Sequence, residues 1–255
     1  ACSSWIRVFT TTLFGARVLM NYKTKKFWRK VSLNKEKNIG VIFLDDQELK
    51  SIKNKKLNLP YYLSQKVFDE WNEVQDEINP SLMPFYSYSV TAVDRIMNQR
   101  NDVIETLKSI LSMDTLLYRS GNDSELSKLQ EKEWQPLVKW LDVNYNCELT
   151  INFELKPLNQ KESELLKCIN LINQLDHFSL SSFSHLVSIS GSFILGLSFY
   201  FKKINSLKLY ELALLEELYQ SNKWGSDDFA NERRENIKKE ITEACEFLDI
   251  LPRII

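Results

Sequence analysis

Glycine is scarce in this chain: only six of its 255 residues are glycine, and they never cluster. The loops that cradle phosphate groups need closely spaced glycines, and neither GxxxxGK[ST] nor GxGxxG can be written anywhere in the sequence. The GxSxG elbow that carries a nucleophilic serine is also missing. These absences exclude the common local motifs for nucleotide binding and for serine hydrolase chemistry.

Metal-binding side chains are equally sparse. The four cysteines are Cys2, Cys147, Cys168 and Cys245, and the two histidines are His177 and His185. No CxxC pair occurs, and the spacings match no zinc site. Scattered single cysteines in a chain of this length are typical of reduced core residues in a reducing compartment. We therefore predict that the protein holds neither a metal nor another cofactor.

Long apolar runs and an excess of one charge are also absent. The formal net charge is −1, so no global field attracts nucleic acid or lipid, and a 44% hydrophobic composition is sufficient for a substantial core. The most apolar stretch, Leu186–Phe201, contains four serines. It is shorter than the roughly 20 apolar residues of a membrane-spanning helix. We therefore predict no membrane span.

The N-terminal stretch, residues 1–26, has no acidic residue but contains Arg7, Arg17 and three lysines among hydroxyl and apolar residues. This composition is typical of an organellar transit peptide. A disordered basic tail is the alternative interpretation.

From Phe27 to Pro60 the apolar residues recur with a period of two, which predicts a small antiparallel sheet. Residues Tyr22 to Lys56 hold eleven Lys and Arg against four acidic residues, so a basic nucleic-acid module is one hypothesis. The aromatic motif of RNA-binding sheets is missing. A solvated basic sheet face is therefore favoured, and no nucleic-acid partner is expected.

The remaining pattern is mostly helical. Pro60 opens a helix that is predicted to run to Asn79, and the alternating segment CELTINFEL, residues 147–155, predicts one late strand. A break at Pro80–Pro84 suggests a domain boundary. We expect an α+β fold, with a small β-rich N-terminal domain containing one helix (residues 27–84), followed by a larger, mostly α-helical domain (residues 85–255).

The stretch from Leu186 to Asp228 is expected to form two helices, broken near Lys203–Asn205. Small residues recur at a spacing of four in the first helix and predict close packing against a neighbour; they are Ser184, Ser188, Ser192 and Gly196. The second helix is predicted to be buried around Leu207–Leu215.

One face of the second helix places a carboxylate near aromatic residues. The residues on this face are Tyr210, Ala213, Glu217, Gln220 and Trp224. One interpretation is that Glu217 is solvated or ion-paired, since burying an unpaired carboxylate is costly. The other is that Glu217 is a functional acid, since acids with perturbed pKa values occur at functional sites. The residues alone describe an α-rich protein without a catalytic constellation, whose large helical faces suit the binding of another protein.

An ordered series of segments resembles one known family. The segments are FWRKVSL, VIFLDDQELKS, INPSLMP, VTAVDRI, DTLLYR, WQPLVKW, SISGSFILGLSF and LEELYQSNKWGSDD. They resemble the chaperones that assemble the F-one catalytic hexamer of ATP synthase by binding its alpha subunit. The resemblance covers roughly Phe27 to Glu246. No single motif is decisive, but their order along the chain is specific.

The resemblance implies an activity that is not catalysis. Such a chaperone binds the unassembled alpha subunit in the mitochondrial matrix and keeps it from aggregating until the beta subunit displaces it. It requires no cofactor, and we expect the free protein to be monomeric. The fold that the family implies is a small β-rich domain joined to a larger helical one.

The resemblance also implies where the partner binds. The acidic pair that precedes Gln-x-x-x-Trp-Gly in the family corresponds to Glu216 and Glu217, before Gln220 and Trp224. Glu217 is the first candidate for the functional acid, and Glu216 is the second. Leu218 and Ser226 depart from the family pattern. The alternative hypothesis is a small-molecule enzyme or sensor that uses a buried Glu217 as acid or base.

Overall fold

The computed structural model describes residues 24–121, 124–154, 156–225 and 227–253. Within these ranges the strands of both sheets precede Pro80, and the rest of the chain is mostly helical. The expected α+β fold class is therefore confirmed. Most of the predicted transit peptide lies outside the described residues.

The N-terminal part contains a four-stranded antiparallel sheet and a short two-stranded ribbon. The strands are β1 (Thr24–Lys25), β2 (Val31–Glu36), β3 (Ile39–Leu44), β4 (Gln47–Glu48), β5 (Leu59–Pro60) and β6 (Glu77–Ile78). In the sheet, β3 pairs with β2, β4 and β5, and β2 lies opposite β3 with Val31 facing Leu44. Along β3 the side chains alternate between more and less buried positions, as the period of two predicts.

The turns of this sheet are stabilised locally. Lys37 and Asp45 both have positive φ, at 57° and 53°, and they reverse the chain after β2 and after β3. One oxygen of the Asp45 carboxylate accepts hydrogen bonds from the Arg29 N–H at 3.0 Å and the Lys30 N–H at 2.9 Å. These hydrogen bonds stabilise the turn at Asp45–Asp46 between β3 and β4.

Gly40 in β3 lies directly against the first helix. A Cβ atom at this position would lie 1.8 Å from Oγ of Ser64, which is fully buried. The sheet and the helix can approach each other this closely because glycine has no side chain.

Gly40→Ala is therefore expected to lower the free energy of unfolding by about 1–3 kcal/mol, because the added methyl group overpacks the contact with Ser64. Urea denaturation followed by circular dichroism measures this change. Gly121→Ala is the matched control, since the nearest atom to its Cβ would be a carbonyl oxygen at 3.5 Å. Equal stability of the two variants would contradict the prediction.

The helices follow the sheet along the chain. They are α1 (Tyr61–Glu73), α2 (Pro84–Thr91), α3 (Met97–Ser112), α4 (Glu125–Tyr145), α5 (Glu162–Asn170), α6 (His177–Ser190), α7 (Phe193–Tyr200), α8 (Ser206–Ala213), α9 (Leu215–Trp224) and α10 (Asp228–Ile250). A π-helical turn at Ala92–Ile96 joins α2 to α3. Helix α6 is buried over most of its length and contacts α2, α3, α7, α8 and α10. None of these helices is both long and apolar enough to cross a membrane.

The prediction for the first helix was wrong at its C-terminal end. Helix α1 ends at Glu73, and Glu77–Ile78 pairs with Thr24–Lys25 instead of extending the helix. The Lys26 N–H also donates to the carbonyl of Asp76 at 2.8 Å. A strand partner from the N-terminus thus satisfies backbone groups that a longer helix would have satisfied internally.

Two breaks inside the apolar C-terminal stretch were also not predicted. Gly191, with φ +69°, ends α6, and the Ser192 hydroxyl caps α7 by accepting from the Leu195 N–H at 3.0 Å. Leu214 separates α8 from α9, with φ −107° and ψ 16° and without a side-chain cap. The predicted stripe of small residues therefore runs across a helix boundary. It retains one close approach, because a Cβ on Gly196 would lie 2.7 Å from the Val187 side chain.

The late strand predicted at residues 147–155 does not form a sheet. In its described part, the pairing is a single bridge between Tyr118 and Asn152. Side chains take the place of a neighbouring strand: the Gln160 amide bonds both the N–H and the C=O of Thr150, at 2.9 and 2.7 Å, and Glu164 accepts from the Glu148 N–H at 2.8 Å. The alternation of the sequence is real, but it reflects an extended segment packed on helices.

The buried residues form one continuous hydrophobic core that reaches from Trp28 in the sheet region to Leu251 after α10. The division at Pro80–Pro84 is crossed by polar contacts as well, since the Glu70 carboxylate accepts from the N–H groups of Phe85 and Tyr86 at 2.7 and 2.8 Å. Among the described cysteines, Cys147, Cys168 and Cys245 are free and buried, as predicted.

Candidate functional site

Helix α9 carries the acidic pair that the sequence pattern singled out. It begins after the break at Leu214, so Glu216 and Glu217 lie in its first turn, where the helix dipole favours negative charge. The predicted face is graded in depth. Tyr210 and Ala213 on α8 are buried, Glu217 is half-buried, and Gln220 and Trp224 are exposed.

Glu217 forms an ion pair with the next helix. Its Oε2 accepts from Nη1 of Arg233 at 2.8 Å, and its Oε1 lies 3.5 Å from Nη1 of Arg234. The Arg234 side chain is only 8% exposed, whereas that of Arg233 is 42% exposed. The carboxylate thus compensates a nearly buried guanidinium group, which makes Glu217 part of the contact between α9 and α10.

Glu216 forms a different contact, with helix α4. Its Oε1 accepts from Nε2 of Gln130 at 2.6 Å, and Oε1 of the same amide accepts from the Ser120 N–H at 2.8 Å. Gln130 is fully buried. A buried amide whose two ends are both bonded fixes the position of its partners. Glu216 therefore anchors the start of α9 to the loop before α4.

The outer end of α9 is tied to α4 at the surface. Oε2 of Glu125 accepts from the Tyr219 hydroxyl at 2.8 Å and from Nζ of Lys223 at 2.7 Å. The hydrogen bond from Lys223 lowers the pKa of Glu125 below its ordinary value. Because both charged groups are exposed, the contact orients the helix more than it stabilises the fold.

Two aromatic side chains stand out from the surface where α9 meets α10. Trp224 is 71% exposed and Phe229 is 79% exposed. The chain turns between them at Gly225, with φ +82°, and the Asp227 carboxylate caps α10 by accepting from the Ala230 N–H at 2.7 Å. We call Trp224 and Phe229 the aromatic corner. Large exposed aromatic side chains are typical of protein-binding surfaces.

The structure therefore separates the four predicted site residues by environment. Glu216 and Glu217 form structural contacts, with different neighbouring helices, while Gln220 and Trp224 face solvent. The sequence interpretation did not include Arg233, Arg234 or Phe229 in the site. A pair of arginines in the helix that follows an acidic pair could have indicated an ion pair between the two helices. Whether the charged side chains come into contact depends on the turn at Gly225, which the sequence pattern does not specify.

The arrangement has the features of a binding surface more than those of a reaction centre. Both carboxylates accept hydrogen bonds from side chains of other helices, and exposed aromatic groups lie at the end of α9 and the start of α10. The described residues contain no group of three or more His, Cys, Asp and Glu side chains that could hold a metal ion.

Comparisons with known proteins agree with this description. Residues 25–142 match a sequence model of the ATP12 chaperone protein family, and the match begins within the first strand. The mitochondrial protein atp12 of Schizosaccharomyces pombe is 24% identical over 235 residues, covering 87% of this chain and 81% of that protein.

Solved structures extend the likeness to the helical part. The crystal structure of Atp12 from Paracoccus denitrificans superimposes with a TM-score of 0.82 at 27% identity, covering 89% of this chain and 97% of that one. A putative chaperone from Agrobacterium tumefaciens shares the fold, with a TM-score of 0.85, 22% identity and 98% coverage of both chains. The matched segment, the mitochondrial relative and the shared architecture agree, and each makes this chain similar to the ATP12 chaperone proteins.

Proposed function

We propose that this protein is an assembly chaperone of the mitochondrial ATP synthase. In this proposal it binds the free alpha subunit of the catalytic hexamer in the matrix and covers it until the beta subunit takes its place. The similarity of residues 25–142 to the ATP12 chaperone family, together with a mitochondrial atp12 relative that matches 87% of the chain, is the observation that carries the proposal.

The physical chemistry of assembly supports a carrier of this kind. A subunit that awaits its partners exposes apolar interface, and such surface aggregates unless it is covered. Release requires no nucleotide hydrolysis when the final partner binds more tightly, because exchange then follows the difference in affinity.

We place the client-binding surface at the outer side of α9. Gln220 and Trp224 are available there, and Phe229 extends the apolar area across the turn at Gly225. Aromatic side chains anchor protein interfaces at small entropic cost, and neighbouring polar groups set the orientation. Glu216 and Glu217 contribute by holding α9 against α4 and α10.

Co-expression of the ATP synthase alpha subunit with and without this chain tests the proposal. The soluble yield of alpha is expected to rise several-fold when the chain is present, and added beta subunit is expected to release the chain from alpha. An unchanged soluble yield would refute the proposal.

The variant Glu217→Lys sharpens this test. A lysine would face Arg233 and Arg234, and we expect the free energy of unfolding to fall by about 1–2 kcal/mol through like-charge repulsion at this partly exposed site. We expect the helical circular dichroism to persist, and the soluble yield of alpha to fall about fivefold, equivalent to about 1 kcal/mol of binding free energy.

The double variant Glu217→Lys/Arg233→Glu is the control, because it restores one ion pair with reversed polarity. If it recovers stability but not the yield of alpha, the glutamate itself acts on the client. Recovery of both properties would mean that Glu217 only holds α9 to α10. Loss of the helical signal in the single variant would lead to the same conclusion.

A further inference from the structure

Strand β2 forms an open edge of the four-stranded sheet. The far side of β3 is covered by β4 and β5, but no strand of the described residues pairs with the outer side of β2. β2 is six residues long, and its register with β3 runs from Val31 to Glu36 without a bulge. Edge strands in natural proteins are commonly short, bulged or interrupted by proline, because a regular edge accepts further strands.

The free backbone groups of this edge follow from the geometry of the hairpin. A two-residue turn follows Glu36, so Glu36 and every second residue before it exchange hydrogen bonds with β3. The Lys30 carbonyl, which accepts from the Asp45 N–H at 2.8 Å, continues this series. The N–H and C=O groups of Leu33 and Lys35 therefore point away from β3, and no described residue bonds them.

The open edge is also basic. Four exposed cations belong to the strand or flank it, namely Arg29, Lys30, Lys35 and Lys37, and we call them the edge cations. Glu36 is the one acidic residue between residues 29 and 37. None of the edge cations forms an ion pair with another described residue. Their charges are therefore available to a partner.

Charge and backbone geometry together select the kind of partner. Residues 1–26 of the chain contain no acidic residue, and a second copy would bring the same edge cations, so like charges oppose both of these occupants. Nucleic acid matches the charge but cannot continue the hydrogen bonding of a sheet. An acidic polypeptide in extended conformation satisfies both the cations and the free backbone groups.

We propose that the edge of β2 binds an extended, acidic segment of a client polypeptide as a fifth strand of the sheet. The backbone of the segment pairs with Leu33 and Lys35, and its carboxylates pair with the edge cations. The inference rests on the proposed function in that the segment belongs to a client. It adds a second recognition site, remote in sequence from α9.

Two labelled peptides test the role of charge. The probe is a fluorescein-labelled peptide of about eight residues, about 27 Å long as a strand, in which glutamate alternates with valine. Its counterpart has lysine at every glutamate position. By fluorescence anisotropy, the full chain is expected to bind the glutamate peptide at least about tenfold more tightly, because opposite charges meet along the edge.

Methylation of the peptide backbone tests the strand pairing. Successive N–H groups of a strand point to opposite sides, so methylating every second nitrogen removes the donors on one side only. Two glutamate peptides, methylated on the two alternate sets of nitrogens, are compared. One is expected to bind about tenfold more weakly, and the other to remain within about threefold of the unmethylated peptide. Equal effects of the two methylations would contradict pairing as a strand.

The variant Lys35→Pro blocks the edge on the protein side. The N–H of Lys35 is on the open side, where an edge strand tolerates proline. Binding of the glutamate peptide is expected to weaken by about tenfold or more, with the circular dichroism preserved. Lys35→Gln is the matched control, because it removes the charge and retains the N–H, and it is expected to weaken binding only about twofold. The methylated peptides decide the question independently if the proline variant does not fold.

Charge reversals locate the binding. Arg29→Glu/Lys37→Glu is expected to weaken binding of the glutamate peptide by about tenfold. Lys139→Glu/Lys161→Glu changes the net charge equally at exposed positions in the helical part, and is expected to leave the affinity within about twofold. Equal weakening by the two double variants would overturn the proposal, as would binding of the lysine peptide as tight as that of the glutamate peptide.

Other occupants of the edge give different results. A dimer in analytical ultracentrifugation that Lys35→Pro abolishes would assign the edge to a second copy and overturn the proposal. Tighter binding of a labelled single-stranded RNA, unaffected by Lys35→Pro, would assign the edge cations to nucleic acid. The soluble-alpha assay is separate: absence of peptide binding with normal rescue of alpha refutes only the edge proposal, and peptide binding without rescue refutes only the alpha-subunit proposal.

Discussion

Trp134→Ala is expected to lower the free energy of unfolding by about 3–5 kcal/mol, the cost of deleting a large aromatic side chain from a packed core. Trp134 on α4 is 1% exposed. Its indole Nε1 donates to the carbonyl of Leu212 at 3.1 Å. That carbonyl lies in the last turn of α8, where intrahelical partners are missing. The substitution therefore removes both packing volume and the bond that positions the break before α9.

Denaturant unfolding monitored by far-UV circular dichroism measures the loss. Trp134→Phe retains most of the volume and is expected to lose about 1–2 kcal/mol. Trp140→Ala removes the same side chain type from a half-buried position on the same helix, and its effect is expected to be about half as large. If Trp140→Ala proved as costly as Trp134→Ala, the assignment of Trp134 as the anchor of α8 would be wrong.

The second large effect concerns pH. Asp114 is fully buried, and burial raises the pKa of its carboxyl group from 3.8 to about 6. Its two oxygens accept from the N–H groups of Leu116 and Ile194, each at 3.0 Å, so the group joins the turn after α3 to the start of α7. The N–H donors oppose the effect of burial without cancelling it.

The raised pKa of Asp114 determines how the stability of the fold changes with pH. A carboxyl group whose folded-state pKa is raised stabilises the fold below its unfolded pKa of about 3.8, and this contribution is lost as the pH rises through about 6. One pKa unit corresponds to about 1.36 kcal/mol, so the full contribution of Asp114 amounts to about 3 kcal/mol. The folded protein retains this proton at pH values where the unfolded chain has released it.

The comparison of wild type with Asp114→Asn isolates this contribution. The variant is neutral at every pH, and the other carboxylates contribute equally to both proteins. We expect the stability of wild type relative to the variant to fall by up to about 3 kcal/mol between pH 4 and pH 7, in urea titrations at each pH. A constant difference would show that folding leaves the pKa of Asp114 unchanged, and a difference that grows with pH would show that folding lowers it.

The local sequence pattern was sufficient to predict several structural elements. The alternation of β3 and the turn at Asp45 follow from neighbouring residues alone, since β3 shows its buried face in a period of two. Helix α10 begins one residue after Asp227, which is a good N-cap. These features depend on interactions within a few residues.

Other features depend on distant partners and were not predictable from the pattern. The break at Leu214 lies in an apolar run that is compatible with a continuous helix, and tertiary contacts such as the bond from Trp134 accompany it. The contact between Glu216 and Gln130 joins residues 86 apart in sequence. The helical faces at residues 206–224 could be predicted from the sequence, but the hydrogen-bonding partners of their carboxylates could not.

The backbone of residues 148–150 shows how an extended segment can be prevented from pairing with a strand of another chain. An extended, alternating stretch offers free N–H and C=O groups on which a foreign chain can grow a strand. Here the amide of Gln160 and the carboxylate of Glu164 occupy those groups from within the same molecule. An extended segment whose backbone groups are bonded from within its own chain offers no template on which a foreign strand can be added.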